Sequence, residues 1–264
     1  MKIGIVGLGV VGTAVKEGFE NIEHEVVFHD IKFNTNIKDI LNTEICYICV
    51  PTPSAHDGSC NTSIVESVVE DLNNLQYQGV IAIKSTVTPG TTKNLQLKYP
   101  KLKLCFVPEF LRERCATVDF IENHDLCVVG TSCPNIYEKV FNSHGSLPKK
   151  VIRTDETEAE LVKYFNNVYN ATLITFANSF YELCESLGAD YTNVKNAVVK
   201  REHINDVYLN CNKDLRGFGG MCLPKDTKSL AFLCLKNDLN VDFFKHLIEE
   251  NNKYKTTVFK GMRK

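Results

Sequence analysis

The sequence has almost no net charge: 30 lysines and arginines stand against 32 aspartates and glutamates. That balance gives no general pull towards nucleic acid or an acidic membrane surface. No segment approaches the ~20 consecutive apolar residues of a membrane span. The opening MKIGIVGLGVVGTAV is apolar, but it reads as a strand and a turn rather than a signal peptide. With no export signal, the eleven cysteines are expected as thiols in the reducing cytoplasm, not as a disulfide framework. Internal repeats and low-complexity stretches are absent. What remains is ordinary for a globular chain: 264 residues, 44% hydrophobic and 23% charged, enough for one large core or two smaller ones. The basic stretch 251–264 reads as a solvated terminus.

Short apolar runs alternate with amphipathic ones through the first half. KIGIVG, HEVVFHD, ICYICVP, GVIAIKST, KLCFVPEF and DLCVVGT read as strands, with helical patterns between them. This βαβ rhythm predicts an α/β fold, a doubly wound parallel sheet of Rossmann type, over 1–153. CYIC has the spacing of a redox or zinc motif, but residues three apart on a strand point to opposite faces and no second pair follows. No metal site is expected. Near Arg153 the pattern changes. From there a long helical pattern carries Val162, Phe165, Tyr169, Leu173, Phe176, Phe180, Leu183 and Leu187 at steps of three and four, which predicts one buried stripe. Thr154 or Asp155 can cap its start and Gly188 can end it. DYTNVKNAVVK, PKDTKSLAFLCLKN and VDFFKHLIEENNKYKTTVF read as further helices. An all-helical domain is therefore expected over 154–264.

GLGVVG places Gly7, Gly9 and Gly12 in a G-x-G-x-x-G pattern directly after a strand and at the opening of a helix, the context such a motif needs. The first glycine permits the tight turn, the second lets a pyrophosphate approach, and the third lets helix and strand pack closely. The helix start at Val10 and Val11 offers its N–H groups to phosphates. Asp30, 18 residues after Gly12, ends the second strand, where a carboxylate can accept from the ribose hydroxyls and repel a 2'-phosphate. NAD is expected over NADP, with Lys32 nearby as a counterweight.

GFGGMCLPKD (217–226) sets Cys222 between a glycine loop and a helix start, with Pro224 suited to the first turn. The helix dipole and Lys225 there would raise its thiolate fraction, and Asp226 lies one turn on. The glycines, Gly219 among them, leave room for a substrate. Most of the other cysteines lie in apolar patterns, where a small buried thiol is the default. Lys163 and Asn167, at i and i+4, share a helix face and could polarise a substrate oxygen. On spacing alone, a solvated lysine is the preferred reading.

On these motifs the chain resembles the UDP-glucose/GDP-mannose dehydrogenase family. GFGGMCLPKD is similar to that family's nucleophile loop, VPEFLRE (107–113) to its substrate loop, KSTVTPGTT (84–92) to its cofactor and water-binding turn, and AELVKYFNN (159–167) to its lysine–asparagine helix. The motifs follow family order over essentially the whole chain. The resemblance implies oxidation of a nucleotide sugar to its acid by two hydride transfers to NAD, with Cys222 carrying a thiohemiacetal and then a thioester. It implies that Lys163 and Asn167 hold the reacting oxygen, and that Thr86, Glu109 and Asp226 position or activate water. Phe110, Leu111 and Arg112, with Glu109 and Gly219, would contact substrate. Thr52, Thr86, Glu113 and Lys225 would lie near NAD. Glu109 and Glu113 read as an ordinary helix-edge charge pair without the motif.

Family members carry a further domain that closes over the nucleotide, and no counterpart of it is read in this sequence. A separate chain is the expected source. HIN (203–205) and NKD (212–214) also stand where the family usually has RIG and NPS. Two other readings stay open: a two-domain dehydrogenase of the hydroxyisobutyrate or 6-phosphogluconate type, which makes one hydride transfer and needs no cysteine, and a non-catalytic NAD-binding or assembly protein. A homodimer through the helical part is expected, because the stripe from Val162 to Leu187 is long and Val241, Phe244 and Leu247 of the last helix have little chain left to cover them.

Overall fold

The computed structural model describes residues 1–256. The chain divides into two compact units, one of Met1–Pro53 with Cys60–Lys163, the other of Ser54–Ser59 with the described residues from Tyr164 onward.

The first unit is a seven-stranded sheet. Its strands are β1 (Lys2–Val6), β2 (Glu25–His29), β3 (Ile45–Ile48), β4 (Val80–Ile83), β5 (Lys103–Phe106), β6 (Cys127–Gly130) and β7 (Val151–Thr154), in the spatial order β2-β1-β3-β4-β5-β6-β7. The first five run parallel, as expected, but β6 joins β5 antiparallel through Phe106 and Gly130, and β7 runs parallel to β6. The fully parallel sheet is thus corrected to a mixed one. The helix between β5 and β6, α4 (Ala116–Ile121), has only six residues, roughly 9 Å of rise. Neither α4 nor β7 was read from the sequence.

Side-chain alternation divides the sheet's apolar residues between two faces. Ile3, Ile5, Tyr47, Ala82, Cys105 and Val129 face Ala14, Val15 and Phe19 of α1 (Val10–Asn21), Phe120 of α4, and Ile136 and Val140 of α5 (Pro134–His144). Cys46, Ile48, Ile81, Ile83 and Leu104 face Val65, Val69 and Leu72 of α2 (Ser63–Asn74) and Leu95 of α3 (Thr91–Lys98). The two cysteines of CYIC fall on these opposite faces. Burial pushes the Cys49 thiol up to about 12, which suits an inert packing group.

Helix α6 (Glu156–Leu187) starts on a reciprocal cap. Asp155 Oδ1 accepts the Glu158 N–H at 2.7 Å, and Glu158 Oε2 accepts the Asp155 N–H at 3.0 Å. Gly188 ends it at a φ of +67°. The predicted buried stripe is corrected. Phe165, Tyr169, Phe176, Phe180, Leu183 and Leu187 are all exposed, Phe165 by 74%. The covered face is instead Tyr164, Val168, Ala171, Thr175, Ala177, Asn178 and Cys184. Small and polar side chains there let neighbouring segments approach closely, so the bulky apolar residues are on the other side. The second unit continues with α7 (Tyr191–Val198), α8 (Leu223–Lys236) and α9 (Phe243–Asn251). Phe244 and Leu247 pack with Val168, Ala171 and Phe218 of their own unit, which corrects the expectation that they lack cover. The helical reading of 241–259 holds as far as Asn251. Residues 257–259, and most of the basic terminus, lie outside the described residues.

Two histidines mark the first unit's response to acid. His144 is fully buried, its ring against Phe19 and Tyr47, with Nε2 making no hydrogen bond. Burial, then the charge of Lys84, holds it well below its usual range, and the same causes lower His124 to about 4. Both stay neutral in the folded state while an unfolded chain takes up protons. Stability is therefore intact above the unfolded value of ~6.5 and falls as pH drops below it, by roughly 1.4 kcal/mol per proton per pH unit. Melting temperature should decline between about pH 6.5 and 5, above the range where carboxylates titrate. His144→Phe should flatten that slope. An unaltered protein with a flat profile there would contradict the assignment.

Candidate functional site

In the first unit the glycine turn lies between β1 and α1. Gly7 has a φ of +93°, and a side chain on it would stand 2.7 Å from the Cys49 carbonyl. A Cβ on Gly12 would lie 1.9 Å from the Gly7 carbonyl, so only glycine lets this helix pack so close to the strand. A Cβ on Gly9 would meet nothing within 4 Å. That leaves the α1 N-terminus open to a phosphate, and Gly9 caps it without any side-chain bond. A groove of about 610 Å³ runs from Leu8, Gly9, Val10 and Thr13 to the segment from Glu113 to Val118. Gly9, Val10 and Glu113 therefore share one wall-lined space; Val11 is half-buried behind Val10 in the same turn of α1. This cradle fits a dinucleotide.

Asp30 stands at the end of β2. Its carboxylate accepts the Leu8 N–H at 2.6 Å and the Lys32 N–H at 2.8 Å. Burial pushes its pKa up, but these two N–H groups and the Lys32 charge outweigh it, so the group lies below the usual carboxylate range. Asp30 thus braces the glycine turn. Thr52 and Thr86 lie outside the groove, on the loops after β3 and β4. The Cys60 thiol reaches both carbonyls, at 4.0 Å for Thr52 and 3.4 Å for Thr86.

Lys163 is 3% exposed, so the solvated-lysine reading is overturned. Its ammonium donates to Glu109 twice, to Oε1 at 2.7 Å and to the carbonyl at 2.6 Å, and lies 6.0 Å from the Phe110 ring. The other Glu109 oxygen accepts the Leu111 N–H at 2.7 Å. Burial raises the Glu109 pKa, yet Lys163 and the Leu111 N–H more than offset it and keep the group ionised. Arg112 is clamped through two nitrogens and its backbone N–H to Asp119, which these bonds hold far below the usual range. Sequence reasoning missed Asp119, and it missed Glu160. The fully buried Glu160 carboxylate accepts from the Gly90 and Thr92 N–H groups at the start of α3, at 2.5 and 2.8 Å. No residue pattern marked it, because its partners are backbone N–H groups of a distant segment.

In the second unit Cys222 is the residue at the N-terminus of α8, with Pro224 in the first turn. It is exposed, whereas the other ten cysteines are buried or half-buried. Asp226, fully buried, donates its N–H to the Cys222 carbonyl at 2.9 Å. The Asp226 carboxylate takes Lys225 at 2.5 Å on one oxygen and the Asn167 amide at 2.6 Å on the other. Asn166 in turn donates to Asn167 Oδ1 at 3.0 Å. So Asn167, Lys225 and Asp226 form one hydrogen-bonded chain beside the start of α8, and the Lys225 ammonium is directed to Asp226. A side chain on Gly219 would come within 2.5 Å of Thr256 Cγ2.

A glycine-turned cradle on a mostly parallel sheet, followed by an α-helical unit, is the architecture of NAD-dependent dehydrogenases. Within that class the chain belongs to the UDP-glucose/GDP-mannose dehydrogenase family: the model of the family's NAD binding domain matches residues 30–143 and that of its central domain matches 157–253. NAD is accordingly the cofactor. A UDP-glucose 6-dehydrogenase of Rickettsia bellii is 32% identical over 87% of this chain and 53% of its own length. The chain spans about half the length of that curated relative. The structure of a UDP-glucose dehydrogenase from Pyrobaculum islandicum superposes with a TM-score of 0.87 at 26% identity, covering 96% of this chain and 68% of that one. A 3-hydroxyisobutyrate dehydrogenase of Mycobacterium tuberculosis shares the fold, with a TM-score of 0.77 at 15% identity over 92% of that chain. Among the described residues no helix is long and apolar enough to cross a membrane.

Asp30 both braces the turn and presents a carboxylate at the strand end. Asp30→Ala should weaken NAD binding by about tenfold or more and narrow the preference over NADP. Titration calorimetry with both dinucleotides measures this. Equal affinity for the two in the unaltered protein would overturn the assignment.

Proposed function

We propose that the protein oxidises the primary alcohol of a nucleotide sugar, of the UDP-glucose type, to the carboxylate, with Cys222 as covalent nucleophile. The supporting observation is the setting of that cysteine: the exposed one of eleven, at a helix N-terminus, with the Asn167–Asp226–Lys225 chain beside it. What NAD supplies when bound is a hydride acceptor, used twice per substrate. Gly7, Gly9, Gly12, Val10, Val11 and Asp30 would hold it, with Thr52, Thr86, Glu113 and Lys225 close by. After the first oxidation the Cys222 thiolate adds to the aldehyde carbon, and its sulfur stays bonded through the second oxidation as a thioester. Lys163 and the Asn167 amide steady the oxygen of that carbon, where negative charge develops. Water placed by Thr86, Glu109 and Asp226 then attacks the thioester, releasing the acid and the thiolate. Phe110, Leu111, Arg112 and Gly219 line the sugar's approach. Chemistry on a thiolate, with ten further cysteines, suits the reducing cytoplasm.

The fold shared with a 3-hydroxyisobutyrate dehydrogenase supports a second reading, a single hydride transfer that makes no use of Cys222. Product counting separates the two. Two NADH per UDP-glucose consumed is expected; one, with a fully active Cys222→Ser variant, would favour the second reading, and none would favour a non-catalytic NAD-binding protein. Under the first reading Cys222→Ser should lose roughly a thousandfold in turnover while NAD affinity is unchanged.

We also propose a homodimer built on the exposed face of α6. Six large apolar side chains there, from Phe165 to Leu187, form a row that is costly to leave in water. Light scattering at low micromolar concentration should give twice the chain mass, and a clean monomer rejects the proposal.

A further inference from the structure

The loop before Cys222 has an irregular backbone, with Gly217 and Gly220 at φ values of +59° and +80°. Such a loop cannot be fixed by a ladder or a helix, so something else must set where it delivers the thiol. Two buried amides do so. Asn251, 6% exposed at the end of α9, accepts the Phe218 N–H at 2.7 Å and donates to the Phe218 carbonyl at 3.0 Å. One side chain thereby satisfies both backbone groups of one residue, as a neighbouring strand would. Asn178, 1% exposed on the covered face of α6, accepts the Gly217 N–H at 3.2 Å and Arg216 Nε at 2.7 Å through one oxygen. Its own nitrogen is engaged by the Ile174 carbonyl at 2.8 Å. Between these bonds the Phe218 side chain is 2% exposed, packed with Val168, Ala171 and Leu247. Arg216 itself lies between the rings of Tyr181 and Tyr254, at 4.7 and 5.2 Å.

We infer that Asn178 and Asn251 are positioning residues for Cys222, holding the 216–221 backbone so that the thiol is delivered to the N-terminus of α8. The inference rests on the proposed role of Cys222. It makes the nucleophile's placement depend on α9, which contributes both Asn251 and Leu247. The two amides differ in what they give the loop. Asn178 serves the loop only as an acceptor, its nitrogen being engaged by the Ile174 carbonyl of its own helix. Asn251 serves as acceptor and donor, and aspartate would set a carboxylate against the Phe218 carbonyl, two acceptors face to face.

The test uses the full chain, amide hydrogen exchange, and peptide mapping after brief iodoacetamide treatment. In the unaltered protein the Gly217 and Phe218 amides should exchange as slowly as those of α9. Asn251→Asp and Asn251→Leu should speed exchange across 217–222 by about tenfold or more. They should also slow Cys222 labelling by about threefold or more, since an already exposed thiol gains no access from loosening but loses the helix start. Asn178→Leu, which removes the acceptor for Gly217, should speed exchange at Gly217 by about tenfold or more. Fast exchange at Gly217 and Phe218 in the unaltered protein overturns the inference even if the variants fail to fold. So does an Asn251→Asp variant matching the unaltered one, or an Asn178→Leu variant whose Gly217 amide exchanges no faster. None of these readouts uses turnover. A fully active Cys222→Ser variant would remove the nucleophile reading and leave the loop measurements standing as its own separate result.

Discussion

The second unit is organised around a carboxylate that cannot be left alone. Asp226 has no solvent exposure, and an unpaired charge so placed costs several kcal/mol. Both of its oxygens are therefore matched, by Lys225 from its own helix and by Asn167 from α6. That double match ties the first turn of α8 to the middle of α6. Because Cys222 stands one turn before Asp226, the carboxylate's need for partners also fixes where the thiol can be. Removing Lys225 would leave the carboxylate buried without its cation, and removing Asn167 would leave one of its oxygens unmatched.

The first unit repeats the device with the signs reversed. Lys163 is the buried cation, and Glu109 meets it with a carboxylate and a carbonyl. One turn earlier Glu160 closes the start of α3 with bonds to two backbone N–H groups. Burial raises the Glu160 pKa despite those bonds, whereas the adjacent lysine keeps Glu109 ionised. Two carboxylates at similar depth differ because one has a cation and the other only dipoles. Glu109 thus stays ionised beside its lysine, and Glu160 holds backbone. Helix α6 carries Lys163 and Asn167 one turn apart, and each is committed to a different carboxylate.

How much of this was legible in the sequence follows from the range of the forces involved. The glycine turn, its strand and its helix are set by local sterics, so Gly7, Gly9 and Gly12 could be read without the fold. The α6 caps at Asp155 and Gly188 are equally local. Periodicity located the apolar row of α6 but not which side would be covered, because two rows satisfy the same spacing. The covered one is built from Ala171, Thr175, Ala177 and Asn178, which carry little hydrophobic signal. Lys163 read as solvated for a similar reason: its partner Glu109 is 54 residues away and invisible to spacing. The antiparallel entry of β6 is a matter of strand direction, which the apolar pattern of a strand does not mark. Asn178 and Asn251 were silent because their work is done on backbone atoms, which leave no trace in a residue pattern.

The contrast among the cysteines carries the functional argument one step further. Cys46, Cys49, Cys105 and Cys127 lie inside the sheet, where burial raises each thiol above its ordinary value. Moving a thiolate into such a place would require paying for a buried anion with no partner. Cys222 avoids that cost by standing at a helix N-terminus, where unpaired N–H groups and water both favour negative charge. The proposed role of Cys222 asks that a thiol on a glycine loop be held in place. The buried asparagines behind the loop and the buried carboxylate after it answer that constraint from the two ends of the segment 216–226. The proposed nucleophile is exposed, and the groups that hold its backbone are buried.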